Sequence, residues 1–317
     1  MVSFANDVNG NSPLYYLSIT LSSNGGSGFQ QMVTINSSNY STYEAADLSN
    51  LNFQDGAGNI LSSWLESGET NTSTSTNYWV KLPNGTITVI YLVFYSTSAI
   101  SKDSVVSGAE PNYTATYGQY DNGSDVFDTY FNFAGTSTPT GITASGTTFN
   151  NGATVTSGSA FTTSTFGGST GDTDIAEFLG NSAAASGVGV LGYTNSSASP
   201  VISVQSNNGY STSYYACVVN NPTGAYFVTT ISLGTQSIFG IDWASSTDTI
   251  FYQNYVSLGS LTTDIPTTAL GIGIFSNAPS TFVQWIRRRL RPPSDTMPTT
   301  TLGSVTAISS STLNNWF

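Results

Sequence analysis

The chain has no histidine and only one cysteine among its 317 residues. Without histidine, the Ser–His–Asp and Cys–His pairs that activate most hydrolase nucleophiles are excluded, and so are the usual zinc sites. The single cysteine, Cys217, excludes an intrachain disulfide, so the chain must be stabilised by other means. Because Cys217 stands in an apolar run at residues 214–219, we expect a small buried side chain there and not a nucleophile.

Charged residues are also scarce. They make up 8% of the chain, with 6 Lys or Arg against 18 Asp or Glu and a formal net charge of −12. Nucleic-acid binding needs a basic face, so this balance argues against nucleic acid as a partner. So few titratable groups also predict a weak pH dependence of stability.

What the chain does contain is typical of folded β-structure. Hydrophobic residues reach 38% and aromatic residues 13%, which is too much for a disordered chain. Ser and Thr are abundant, so the exposed faces of the strands are expected to carry hydroxyls in place of charges. Strand-like segments recur at short spacing and helical periodicity is nearly absent, as in β-sandwiches and jelly rolls.

Turn and linker signals divide the chain. Asn84-Gly85 stands between two strand-like segments, residues 78–82 and 86–95, and predicts a hairpin. A Thr-, Ser-, Gly- and Pro-rich stretch at residues 134–146 indicates a linker. We therefore predict an all-β fold with two β-sandwich, jelly-roll-like domains in tandem, at residues 1–137 and 138–303, followed by a tail at residues 304–317.

The location of the chain is expected to be extracellular, at a cell surface or at a virion surface. The start of the sequence lacks the basic and apolar segments of a signal peptide, and no run reaches the length of a membrane span. Asn-x-Ser/Thr sequons, the acceptors of N-linked glycans, support exposure to a glycosylating compartment. The seven sequons are at Asn36, Asn39, Asn71, Asn84, Asn112, Asn122 and Asn195.

Residues 14–133 carry several motifs of one family in order. The segments are LYYLSITL at residues 14–21, LNFQDGAGNILSSWLES at 51–67, YWVKLP at 78–83, TVIYLVFY at 88–95 and DVFDTYFNF at 125–133. In this order and spacing the region resembles DUF2341, a family of unknown function. The resemblance implies a fold and an exterior location, and it implies no catalytic residues.

The following region has a second resemblance. It rests on FGIDW at residues 239–243, TIFY at 249–252 and FVQWIRRRLRP at 282–292. Residues 139–291 look like the concanavalin-A-like lectin/glucanase sandwich. Together the two modules are similar to archaeal and bacterial surface proteins and to attachment or structural proteins of archaeal viruses.

Asp172, Asp174 and Glu177 form the most enzyme-like string in the chain. Glucanases of the concanavalin-like class use Glu-x-Asp-x-x-Glu, in which two glutamates flank the sugar. Here the first position is Asp, which is one methylene shorter and misplaces the nucleophile. We favour a solvated turn that leads into a strand, with glycoside hydrolysis as the alternative. No cofactor or metal site is expected.

Four arginines are clustered near residue 290. On a strand, Arg287, Arg289 and Arg291 share a face with Trp285, and Arg288 lies on the other face. One hypothesis is that the three arginines anchor an acidic partner or an anionic glycan. The favoured interpretation is that they pair with acids of the same chain. An inward Arg288 would need such a partner.

The expected function is that of a non-catalytic exterior protein. We expect an adhesin or virion spike that binds glycans or surface proteins. The alternative is a self-associating structural subunit of a surface layer, filament or virus particle, and glycoside hydrolysis is the third hypothesis. In the tail, Trp316 and Phe317 are candidates for packing on a neighbouring subunit.

Overall fold

The computed structural model of the chain describes residues 2–183, 187–194, 199–206, 209–221, 223–278 and 280–309. These residues form β-strands joined by turns, with a short α-helix α1 at Gly123–Val126, so the predicted all-β fold class is confirmed. Asn195, Trp316 and Phe317 lie outside the described residues. The chain forms two compact units, Met1–Asp128 with Pro292–Phe317, and Thr129–Arg291.

The strands follow each other closely along the chain. The first unit contains β1 (Tyr15–Leu21), β2 (Gln30–Ile35), β3 (Leu51–Gln54), β4 (Ile60–Leu61), β5 (Ser63–Ser67), β6 (Thr76–Lys81), β7 (Val89–Phe94) and β8 (Ser107–Ala109). The second contains β9 (Thr129–Phe131), β10 (Ile142–Phe149), β11 (Ala153–Thr162), β12 (Asp174–Ser182), β13 (Gly189–Thr194), β14 (Val201–Ser206), β15 (Tyr214–Asn220), β16 (Ala225–Ser232), β17 (Ser237–Ser245), β18 (Asp248–Gln253), β19 (Val256–Leu261), β20 (Ile272–Ser276) and β21 (Thr281–Leu290). Strand β22 (Thr300–Ala307) returns to the first unit.

The first unit is a sandwich of two sheets, with strand orders β22-β1-β7-β3-β4 and β2-β6-β5-β8. Alternate residues of β1, namely Leu17, Ile19 and Leu21, are buried, as expected for a strand with one face on a core. The two sheets meet where the ring of Phe53 on β3 packs edge-on against Tyr78 on β6, with centroids 5.2 Å apart. Apolar side chains between the sheets therefore hold this unit together.

The prediction that Asn84-Gly85 joins two strands in a hairpin is wrong. Strand β6 pairs with β2 and β5, whereas β7 pairs with β1 and β3 in the other sheet. The two residues do form a turn, because Asn84 Oδ1 accepts a hydrogen bond from the Thr86 backbone N–H at 3.0 Å. The turn carries the chain from one sheet to the other, since both edges of β7 are occupied by other strands.

The second unit is one 13-stranded sheet that folds over on itself. Its main path runs β16-β15-β14-β13-β20-β11-β21-β12-β17-β18-β19, with β10 beside β11 and β9 beside β21. Tyr215 of β15 and Phe239 of β17 are far apart in this order, yet their ring centroids lie 5.0 Å apart. The two halves therefore face each other across an apolar core. Cys217 is buried in that core, as predicted, and burial raises the pKa of its thiol.

The units differ from the domain limits predicted at 137/138 and 303/304. The second unit begins at Thr129 because β9 pairs with β21, and the segment predicted as a linker contributes β10. After Arg291 the chain rejoins the first unit because β22 pairs along β1. Hydrogen-bonded strand partners, which lie far away in sequence, set these limits.

Candidate functional site

Asp174 and Glu177 of the carboxylate string lie on β12, which stands between β17 and β21, and Asp172 precedes that strand. Ala176 and Phe178 of this strand point into the apolar core. The ladder with β21 is regular from Asp174 to Leu179, and its register shifts only after that point. Side chains alternate along a regular strand, so Asp174 faces the core side and Glu177 faces the opposite side. The string is therefore split between two faces of the sheet.

Glu177 is buried between two arginines of β21. Its Oε2 accepts a hydrogen bond from Arg287 Nε at 2.7 Å, and its Oε1 accepts one from Arg289 Nε at 2.8 Å. Arg287 also donates to the hydroxyl of Tyr255 at 2.7 Å. Burial raises the pKa of Glu177, but the two guanidinium groups outweigh it and hold that pKa below its usual value. Glu177 is therefore a buried counter-ion.

Arg288 forms a second cluster on the core side of the same strands. It stands opposite Ala176 in the ladder, and its guanidinium contacts both Asp172 and Asp174, the latter at 3.2 Å. The hydroxyl of Tyr193 donates to Asp172 at 3.0 Å. The inward arginine thus has the acidic partners that its position requires, and charge-assisted hydrogen bonds join four side chains in this cluster.

Arg291 pairs with Asp242 on β17. Its Nη2 lies 2.6 Å and its Nε 2.9 Å from Asp242 Oδ1, and it also donates to the carbonyl of Asp172 at 2.7 Å. Each arginine proposed to bind a partner therefore has a carboxylate of the chain itself within hydrogen-bonding distance. These arginines are Arg287, Arg289 and Arg291. This arrangement is the internal pairing favoured above.

The prediction of a solvated turn at the carboxylate string is wrong, because Asp172, Asp174 and Glu177 are all buried. Their carboxylates form buried ion pairs with arginines of β21. The composition of the chain does not reveal this pairing. Glycoside hydrolysis needs two carboxyl groups that flank one sugar, one of them able to donate a proton. Here Asp174 and Glu177 lie on opposite faces of β12, and each carboxylate of the string contacts a guanidinium group. The arrangement therefore neutralises charge within the chain.

A second set of residues was missed by the sequence analysis. Tyr226 and Val228 lie on β16, the outermost strand of the main path, and Tyr214 lies on β15 beside it. All three side chains are exposed, Tyr226 by 52%. The ring of half-buried Tyr210 lies against that of Tyr226, with centroids 4.1 Å apart. We call Tyr210, Tyr226 and Val228 the tyrosine surface; Tyr214 pairs with Ser232, at the opposite end of β16 from Tyr226.

The tyrosine surface stands in a part of the chain without charge. From residue 178 to residue 241 the sequence contains no Asp, Glu, Lys or Arg. On β16 the exposed positions alternate with buried or half-buried ones, and the exposed set includes Thr230 and Ser232. The exposed face of β16 therefore carries one aromatic ring, one aliphatic side chain and two hydroxyls, and no charge. The sequence did contain a signal for this surface. Residues 225–232 alternate in the manner of a strand with one exposed face, and they lie within a stretch that has no charged residue.

The sequons differ in exposure. Asn39, Asn84 and Asn112 are exposed, Asn36 and Asn71 are half-buried, and Asn122 is buried with no accessible surface. Among the described residues, no group of three or more His, Cys, Asp or Glu could hold a metal ion. In the same part of the chain, no helix has the length and apolar character needed to cross a membrane.

The chain has a sequence relative among viral proteins. Uncharacterized protein 562 of Sulfolobus islandicus rod-shaped virus 1 is 36% identical over an alignment of 113 residues, which covers 33% of this chain and 19% of that protein. The match therefore spans about a fifth of the viral protein. No family model matches the chain, so the resemblance to DUF2341 receives no support.

Solved structures similar to this chain include β-glucanases. They are a Bacillus licheniformis β-glucanase (14% identity, TM-score 0.39, 51% of this chain and 98% of that one), a Mycobacterium marinum β-1,3-glucanase (10%, 0.38, 51% and 98%) and a pseudo β-1,3-glucanase of Mycobacterium tuberculosis (11%, 0.39, 52% and 98%). At these identities and TM-scores, the similarity supports no conclusion about activity or ligand.

Proposed function

We propose that the chain is a non-catalytic protein of a virion or cell exterior that binds a neutral glycan through the tyrosine surface. The observation that carries this proposal is the exposed contact between Tyr210 and Tyr226 on the outermost strand of the main path of the second unit. Soluble proteins seldom leave grouped apolar side chains exposed unless the patch binds something.

The chemistry of the surface favours a sugar over an ion or a charged protein. Aromatic rings offer flat apolar faces for the C–H faces of a sugar, and Tyr hydroxyls can bond to sugar hydroxyls. The neighbouring side chains, Thr230 and Ser232, donate and accept hydrogen bonds without carrying charge. Because residues 178–241 contain no charged side chain, a neutral glycan fits better than an acidic one.

Two further observations support the rest of the proposal. The arginine contacts of Asp172, Asp174 and Glu177 support a non-catalytic role, since a carboxylate held by a buried guanidinium is a poor proton donor or nucleophile. The viral origin of the relative supports a virion over a cell envelope.

One observation favours the alternative, a self-associating structural subunit. Strand β22 is the outermost strand of its sheet, and none of its eight residues is buried. It contains no charged residue and no proline, the usual features that keep an edge strand from pairing with another chain. If β22 pairs with a second copy, the purified chain will assemble without any ligand, which light scattering after gel filtration would reveal.

The glycan proposal predicts that the double variant Tyr210→Ala/Tyr226→Ala binds a neutral glycan about 5- to 150-fold more weakly than the unmodified chain. Two stacking rings contribute about 1–3 kcal/mol, and 1.4 kcal/mol corresponds to a tenfold change in affinity. A glycan array identifies the ligand, and titration calorimetry measures the affinity of both proteins.

The control is Val256→Ala on β19, an apolar side chain that is 69% exposed and does not belong to the tyrosine surface. This change should leave the affinity unaltered. Equal binding by the double variant, or binding to acidic glycans alone, would refute the proposal for the tyrosine surface.

A further inference from the structure

The geometry points to N-glycan attachment at Asn39, Asn84 and Asn112 of the first unit, and not at Asn122. This inference depends on the exterior location in the proposed function, but not on the tyrosine surface. Attachment requires an Asn amide that an enzyme can reach in a flexible or exposed segment, with Ser or Thr two residues later. The described sequons differ in how accessible the asparagine amide is.

Asn84 is the most favourable acceptor. It is exposed in the turn between β6 and β7, where the Thr86 hydroxyl donates to Asn84 Oδ1 at 2.7 Å and the Thr86 backbone N–H donates at 3.0 Å. Both bonds are made to the amide oxygen. The amide nitrogen has no hydrogen-bond partner among the described residues. Asn39 and Asn112 are exposed in the same way, outside the strands of the sandwich.

Asn122 provides the contrast within the same chain. It has the same middle residue, Gly, as the sequon at Asn84. Its side chain has 0% exposure, and its Nδ2 donates to the carbonyl of Val105 at 3.3 Å. A sugar on this nitrogen would have no room and would remove a buried hydrogen bond. The amide of Asn71 is also engaged, by the carbonyls of Ser41 and Glu44.

The reaction needs a lipid-linked glycosyl diphosphate as co-substrate and a transferase of the host. The bond between sugar C1 and the diphosphate oxygen breaks, a bond forms between C1 and Asn Nδ2, the nitrogen loses one proton, and the lipid diphosphate leaves. The product places sugar on the first unit. The tyrosine surface belongs to the second unit.

The test is expression of the full chain in a secreting, glycosylating host, followed by glycopeptide mapping of the folded, secreted protein. We expect glycans at Asn39, Asn84 and Asn112 and an unmodified Asn122. Two variants remove a sequon hydroxyl and keep the asparagine, Thr86→Ala and Ser124→Ala, and both hydroxyl residues are exposed.

The intact mass of Thr86→Ala should fall by one glycan, and that of Ser124→Ala should change only by the lost oxygen. Secreted protein without glycans at Asn39, Asn84 and Asn112 would overturn the inference. Loss of a glycan in Ser124→Ala would overturn it as well. Neither result affects the glycan-binding test of the tyrosine surface, so the two proposals can fail separately.

Discussion

Replacing Glu177 with Gln is expected to destabilise the second unit by about 3–5 kcal/mol. Gln keeps the shape of the side chain but removes the charge that pairs with both Arg287 and Arg289, which are themselves buried. Two guanidinium groups would then stay away from water without a carboxylate between them. The measurement is urea unfolding followed by tryptophan fluorescence, to which Trp243 and Trp285 of the second unit contribute, and the unfolding midpoint should fall clearly.

The control removes the whole cluster instead of one partner. In Glu177→Leu/Arg287→Met/Arg289→Met, neither the charges nor their desolvation remain, so stability should return to within about 2 kcal/mol of the unmodified chain. A change below about 1 kcal/mol in Glu177→Gln would contradict the buried pair. If that variant kept its stability but lost a measurable polysaccharide cleavage, Glu177 would be a catalytic group.

For the arginine cluster, the sequence pattern predicts which face of the strand each side chain occupies but not which residues it pairs with. Strand alternation correctly places Arg288 on the face opposite Arg287 and Arg289. It does not identify their partners, because the pair of Arg287 and Glu177 joins residues 110 positions apart. Only the ladder between β12 and β21 brings these charges together, and no local pattern reports which strands will be neighbours.

Because local patterns do not report which strands are neighbours, the sequence indicates which large side chains are buried in strands but does not reveal the exposed tyrosine surface. Trp64, Trp79, Trp243 and Trp285 are fully buried, as expected for large apolar side chains in strands. Tyr226 follows the same local pattern but is exposed. Its strand ends the main path of the sheet, and that position depends on the order of all the strands.

The second large effect is a loss of stability as the pH rises, caused by Glu44 in the first unit. Its side chain is only 2% exposed, and Oε2 has no hydrogen-bond partner among the described residues. Burial raises the pKa of Glu44 from 4.5 to about 7, although a hydrogen bond from Ser37 opposes the shift. Tyr40 and Tyr78 are close enough to interact electrostatically with it.

The sign follows from proton binding. Between pH 4.5 and about 7 the folded chain keeps the proton of Glu44 and the unfolded chain releases it, so the free energy of unfolding falls as the pH rises. A shift of this size corresponds to about 3 kcal/mol. The chain has no histidine to titrate in this window, and Lys102, whose pKa is lowered by burial to about 8, titrates above it.

We therefore expect Glu44→Gln to match the unmodified chain near pH 4.5 and to exceed its stability by about 3 kcal/mol at pH 8, since a neutral amide has no charge to bury. Urea unfolding at several pH values measures this, and Asp125→Asn at an exposed carboxylate should leave the pH profile unchanged. Parallel profiles for Glu44→Gln and the unmodified chain would mean that Glu44 is solvated. The weak pH dependence expected from the composition would then hold, because the few titratable groups matter only where one of them is buried without a counter-ion.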